Sequence, residues 1–134
     1  MQLEMNFVIA KETDYIELGY FNKLLIDSGG SINDMTVSEL EQRMLHFITT
    51  DYNAIFFEVE GVRVGYALVS KKRDPLFIRH FLILPEYRRK GYGHTAFNKL
   101  ISFFEVKKVV LTVLSNNEIG KIFWKCCGLE PYEI

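Results

Sequence analysis

Pro85-Glu86-Tyr87-Arg88-Arg89-Lys90-Gly91-Tyr92-Gly93 lies between an apolar run, Phe81-Leu82-Ile83-Leu84, and a segment over residues 94–104 with helical apolar spacing. The run reads as a strand and the following segment as an amphipathic helix. The nine residues between them are therefore a basic, glycine-bearing strand-to-helix turn. Such a turn is either a plain connector or an anion site. The first N–H groups of a helix have no intrahelical acceptor, and the helix dipole adds partial positive charge there. Gly91 and Gly93 admit a ligand close to the backbone, and Arg88, Arg89 and Lys90 add mobile charge. A pyrophosphate is the guest that suits this arrangement. The spacing excludes two common phosphate loops. Gly-x-x-x-x-Gly-Lys-Ser/Thr is absent, and the dinucleotide fingerprint Gly-x-Gly-x-x-Gly has one glycine too many for this turn.

The remaining sequence sets the frame. A chain of 134 residues has room for one domain, 1–134, and its 49% hydrophobic content suffices for a packed core. A net charge of −1 offers no basic excess for nucleic acid, although basic residues cluster at Lys71-Lys72-Arg73, Arg88-Arg89-Lys90 and Lys107-Lys108. The two cysteines, Cys126 and Cys127, are adjacent, which suits neither an ordinary disulfide nor a zinc site. No metal is expected. The N-terminus lacks a signal-peptide pattern and no apolar run could span a bilayer, so a cytoplasmic protein without membrane contact is expected.

Outward from the turn, the pattern gives a first strand at Phe7-Val8-Ile9 and a helix over 14–26 stopped by Gly29-Gly30. Thr36-Val37-Ser38-Glu39 fits a capping box opening a helix to about His46, with Leu40, Met44, Leu45 and Phe47 inward. Two strands, 53–59 and 63–69, flank a turn at Glu60-Gly61, and a polar loop leads to a third over 76–84. After the helix to Phe104 comes a strand over 108–114. Asn116-Asn117 opens a last helix ended by Gly128, and residues 129–134 read as a short terminal strand. The order is β-α-α-β-β-β-α-β-α-β, an α/β or α+β fold with a central mixed sheet flanked by helices.

Two motifs in this order carry a resemblance. Arg88-x-x-Gly91-x-Gly93 is similar to the acyl-CoA pyrophosphate motif of the GNAT N-acetyltransferase superfamily. Asn117-x-x-Gly120-x-x-Phe123-Trp124-x-x-x-Gly128-Leu129 is similar to that family's Asn-x-x-Ala-x-x-Leu/Phe-Tyr-x-x-x-Gly-Phe segment. The resemblance covers almost the whole chain. It implies transfer of an acetyl group from acetyl-CoA to a primary amine of a small molecule or peptide. It also implies pyrophosphate bound along Arg88, Arg89, Lys90, Gly91, Tyr92 and Gly93, with His94 in the first helical turn. The pantetheine arm would pair with Phe81, Leu82 and Ile83 on an edge opened by strands parting after Leu84 and Leu114. Asn117 would hydrogen-bond that arm, and a strand N–H would stabilise the oxyanion.

The chain departs from the family at the acid and base. Trp124 replaces the usual Tyr, and an indole N–H is no proton donor for a thiolate. Arg79 and His80 stand where a carboxylate is common on the fourth strand, and Thr112 where some members carry Glu. His80 is then either the base, its ordinary pKa being near neutrality, or a partly buried strand residue. Arg79 either binds an acceptor carboxylate or pairs with an acid such as Glu58, the pairing being expected. Tyr66, Tyr92 and the cysteines read as packing residues and Trp124 as a core or cofactor wall. The missing groups keep a second reading open, a non-catalytic acyl-CoA-binding or sensing module. The short tail after Gly128 leaves an edge that a homodimer could cover.

Overall fold

The computed structural model describes residues 4–28, 33–72, 75–113 and 117–130. Its elements are β1 (Asn6–Ile9), a 3-10 turn (Glu12–Asp14), α1 (Tyr15–Ser28), α2 (Val37–Thr49), β2 (Tyr52–Val59), β3 (Val62–Ser70), β4 (Leu76–Ile83), a second 3-10 turn (Pro85–Tyr87), α3 (Tyr92–Phe104), β5 (Val109–Leu111) and α4 (Glu118–Cys126). The strands form one mixed sheet in the order β1-β2-β3-β4-β5, antiparallel except for the parallel pair β4–β5.

Local chemistry accounts for the element ends. At Thr36 the capping box is complete: Glu39 N–H donates to Thr36 Oγ1 (3.1 Å) and Thr36 N–H donates to Glu39 Oε1 (2.9 Å). Glu60 and Gly61 both have positive φ, 53° and 78°. Two left-handed residues in a two-residue loop match the twist of a hairpin, which fixes β2 against β3. Both strands are central and read as nearly continuous apolar runs. Successive residues Phe56 and Phe57 are fully buried, one in the core under α1 and α2 and the other in the core under α3 and α4.

One irregularity sets up the functional region. Leu68 pairs with His80 but Val69 pairs with Ile78, so β4 carries one extra residue, Arg79. This bulge reverses the alternation of faces. Leu76 and Ile78 belong to the α3/α4 core, as do Phe81 and Ile83, which pack against it, whereas Leu82 and Leu84 belong to the α1/α2 core. The parallel partner ends at the same place: among the described residues β5 pairs only at Leu76↔Val109, Phe77↔Val110 and Ile78↔Leu111. The strands thus part after Ile78 and Leu111, earlier than Leu84 and Leu114.

Other expectations shift as well. The strand expected over 108–114 is only Val109–Leu111; Thr112 and Val113 lie outside it, and Leu114 and Asn116 lie outside the described residues. The third helix begins two residues before His94, at Tyr92. Leu129 and Glu130 are in no strand, and the rest of the expected terminal strand lies outside the described residues, as does Gly29-Gly30. Among the described residues no helix is long and apolar enough to cross a membrane.

The Thr36 cap yields a direct test. Thr36→Ala removes the acceptor for Glu39 N–H and should lower unfolding free energy by about 1 kcal/mol, measured by urea denaturation. An unchanged midpoint would show that the capping box does not hold α2 in place.

Candidate functional site

The parting of β4 from β5 opens a cleft of about 280 Å³. Its walls come from five elements: Asn22 of α1, Arg43 of α2, Ile78 to Phe81 of β4, Leu111 to Val113 at the end of β5, and Asn117 and Trp124 at α4. The edge of β4 supplies its backbone wall. Leu84 N–H donates to the Val64 carbonyl (2.8 Å), and the register runs Gly65↔Ile83, Tyr66↔Leu82, Ala67↔Phe81. Hydrogen-bonded pairs alternate in an antiparallel ladder. Leu82 therefore bonds toward β3, while Phe81 and Ile83 turn their N–H and C=O groups toward the side β5 has left. Arg88 confirms the direction, its Nε donating to the Ile83 carbonyl at 2.8 Å. Leu82 does not face the cleft, contrary to expectation: its backbone is in the ladder and its side chain is 2% exposed.

At the far end of this edge stands the glycine turn. Gly91 is the N-cap of α3 with φ 80°, and the first helical bond runs from Thr95 N–H to the Gly91 carbonyl (3.1 Å). No side chain caps this helix, so the N–H groups of Tyr92, Gly93 and His94 are presented outward. Arg89 is also left-handed, φ 63°, which tightens the turn. Two residues have other work than expected. A Cβ on Gly93 would lie 2.8 Å from the Phe123 ring, so this glycine exists for the close approach of α4 to α3 rather than for a ligand. Arg88 is a strut, bonded to Ile83 and to Ser28 Oγ (3.1 Å), which ties the turn to β4 and α1.

The last helix completes the enclosure. Asn117 is its N-cap, with Oδ1 accepting from Gly120 N–H at 3.0 Å. The Trp124 ring packs edge-on against Phe81, Phe97 and Phe123, at centroid distances of 5.0, 5.4 and 4.7 Å, and also lines the cleft. His94 packs on Phe123 and its Nδ1 is 3.6 Å from Cys127 Sγ. Burial first, and then Cys126, push the Cys127 thiol up, which disfavours the thiolate a nucleophile would need.

His80 and Tyr66 form a buried pair, Tyr66 Oη to His80 Nδ1, 2.9 Å. The bulge directs His80 to the α1/α2 side, where it is 8% exposed. Burial, then Arg43 and Arg79, push its pKa down to about 3. It is neutral at physiological pH and a weak proton acceptor. Burial also pushes the Tyr66 phenol up, so that hydroxyl stays protonated. Arg79 does not pair with Glu58: that carboxylate is bound to Arg63 (3.4 Å), as are Asp14 and Glu17. Arg79 instead lies over Phe47 and donates to Tyr52 Oη at 3.4 Å.

Two lining residues, Asn22 and Arg43, are absent from the sequence expectations. Each left a signal. Asn22 interrupts the inward stripe Leu18, Phe21, Leu25 of α1, and Arg43 sits in the stripe Leu40, Met44, Phe47 of α2. A polar residue inside an apolar stripe is either satisfied in the core or serves a cavity.

Among known proteins, the acetyltransferase (GNAT) family matches residues 21–129. No protein of curated function matches the chain. A possible acetyltransferase from Clostridium difficile 630 superposes with TM-score 0.79 at 17% identity, covering 99% of this chain and 94% of its own. An aminoglycoside N-acetyltransferase in complex with CoA gives 0.71 at 14%, covering 100% and 93%. A predicted acetyltransferase with acetyl-CoA from Clostridium acetobutylicum gives 0.73 at 14%, covering 97% and 92%. At these identities the likeness is one of fold.

The buried imidazole predicts a pH effect on stability. His80 is neutral when folded down to about pH 3, but in the unfolded chain it titrates near 6.5. Below that value the unfolded state binds the extra proton, so stability is full above pH 6.5 and falls as pH drops. Between pH 7.5 and 5.5 the loss should be about 1 kcal/mol in urea unfolding, and His80→Gln should abolish it. An equal loss in the variant would place the acid sensitivity elsewhere.

Proposed function

The chain belongs to the acetyltransferase (GNAT) family, and from that premise we propose that it moves an acetyl group from acetyl-CoA to a primary amine of a small molecule or peptide by direct attack. The observation that carries this reading is the edge of β4 over Phe81 and Ile83, unpaired among the described residues, leading to the uncapped N-terminus of α3. An extended amide chain can bond to that edge as an added strand, and a pyrophosphate suits the N–H groups of Tyr92 to His94. Nothing lies within 4 Å of a Cβ built on Gly91, so the turn is open to a ligand. Lys90 and Arg89 supply charge beside it. Arg88 holds the Ile83 carbonyl, which leaves the Phe81 N–H and C=O and the Ile83 N–H for the pantetheine arm.

The chemistry is then mainly orientation. Phe81 borders the cleft, and its outward N–H is the donor for the oxyanion that develops on the acetyl carbonyl. The amine lone pair forms the new N–C bond, the C–S bond breaks, and the amine proton is carried off by water while the CoA thiolate takes one from solvent. Alignment of amine and thioester supplies several kcal/mol without any side-chain acid, and a thiolate is a tolerable leaving group at neutral pH. His80, neutral and bonded to Tyr66, shapes the acceptor side. Trp124 forms the wall against the pantetheine arm.

Gly91→Asp tests the turn. Asp tolerates the left-handed backbone better than most residues, yet it places a carboxylate where the pyrophosphate belongs. CoA at millimolar concentration should raise the wild-type melting temperature by several degrees through mass action, and the shift should vanish in the variant. No shift in the wild type would refute CoA binding.

His80→Gln tests the mechanism. It should lower turnover by roughly tenfold or less, below the ~10²–10⁴-fold loss of a positioned base. A larger loss, with disappearance of an acidic limb in the pH–rate profile, would make His80 the base. CoA binding without acetylation of any amine would favour a binding module instead.

A further inference from the structure

Two guanidinium groups converge on the acceptor end of the cleft with no counter-charge among the described residues. Arg43 and Arg79 reach it from α2 and β4, and their Cζ atoms lie 5.2 and 4.8 Å from the centroid of one ring, Phe47. Among the described residues neither has a carboxylate within ion-pair distance. Their polar contacts are few and long: Arg43 Nη1 to Met35 Sδ at 3.7 Å, and Arg79 Nη1 to Tyr52 Oη at 3.4 Å. Among the described residues that line the cleft none is acidic. The segments 29–32 and 114–116, which adjoin lining residues in sequence, contain none either. Burial, then the charge of Arg79, push the Arg43 pKa down, as expected of a guanidinium partly removed from water beside a second cation.

A second observation lies on the α1 wall. Asn22 is 1% exposed and its Oδ1, a buried acceptor, has no hydrogen-bond partner among the described residues. Such an oxygen gains most from an N–H donor brought by a ligand. The cleft therefore holds paired cations and an orphaned acceptor.

We propose, resting on the acetyltransferase reading above, that the acceptor is a small amine bearing a carboxylate, held by Arg43 and Arg79 with an N–H directed to Asn22. A planar guanidinium matches a carboxylate through parallel N–H bonds, and two of them fix its orientation. The same field disfavours a polycationic acceptor, since two unneutralised charges would repel it. The arginines do not belong to the pyrophosphate site: Arg79 is four residues up β4 from Ile83, about 13 Å at a strand's rise, and the turn lies beyond Ile83.

The test compares α-amino acids with their carboxamides and with spermidine, following CoA thiol release from acetyl-CoA. The carboxamides have the less basic amine, so a larger fraction is unprotonated near neutral pH, which opposes the expected order. Free acids should be preferred by roughly 10- to 100-fold in kcat/KM. Arg79→Gln, at an exposed position, should erase most of that preference through KM for the acid, with KM for acetyl-CoA within about twofold. Arg43→Gln should do likewise. Turnover of amides or spermidine as fast as acids, or a preference indifferent to Arg79→Gln, would overturn the anion site and leave the transferase reading intact.

Trp124, the one tryptophan, lines the cleft and reads binding without turnover. In the presence of CoA, N-acetyl amino acids should quench or shift its fluorescence at concentrations at least tenfold lower than N-acetyl amino amides, and Arg79→Gln should remove the difference. If no amine turns over but this difference holds, the transferase reading falls and the anion site stands. If acids and amides bind alike, the anion site falls.

Discussion

One extra residue in β4 governs the functional half of this molecule. Because Leu68 pairs with His80 and Val69 with Ile78, Arg79 has no partner on β3, and the strand changes which face it shows to each core. The cost of the bulge, a lost step of ladder, is offset by what it aims. Phe81 and Ile83 keep their side chains on the α3/α4 core, His80 goes to the other side, and Arg79 is left at the rim. The parallel strand β5 ends at the same level, at Leu111 opposite Ile78. A sheet that continued to pair there would have no cleft, no free edge and no route from the glycine turn to the acceptor side.

The electrostatics follow from this placement. His80, sent into the α1/α2 core beside Tyr66, loses its water and faces two arginines, so its imidazole is held neutral. Among the described residues the same arginines have no carboxylate within ion-pair distance, while Asp14, Glu17 and Glu58 gather on Arg63. What remains is a site rich in donors and poor in proton acceptors. It suits a reaction that needs alignment and an oxyanion donor more than it needs acid–base exchange, and it suits an acceptor that brings its own negative charge.

Much of this was legible in the chain. The hairpin, the capping box at Thr36 and the strand–turn–helix around Gly91 rest on local rules, and each forms as its residues dictate. The two motifs that carry the family resemblance meet in space, with Gly93 close against the Phe123 ring and His94 packed on it. What the chain concealed is non-local. Alternation along β4 gives no sign of where an extra residue falls, so the resemblance alone sets the parting after Leu84 and Leu114 and counts Leu82 with the open edge. Gly93 and Arg88 sit within a recognisable motif, yet the Phe123 ring and the Ile83 carbonyl that occupy them come from tertiary packing. Asn22 and Arg43 come from helices far away in sequence, and only the polar breaks in their apolar stripes pointed inward.

The central claim is that acetyl-CoA lies along the edge that the bulge and the early end of β5 leave free. A crystal structure with CoA bound measures this directly. The account predicts the pantetheine amides bonded to the Phe81 and Ile83 backbone, between β4 and β5, with the pyrophosphate on the N–H groups of Tyr92, Gly93 and His94. CoA bound elsewhere, or β5 zipped onto Phe81 and Ile83 with no room for a ligand, would contradict it.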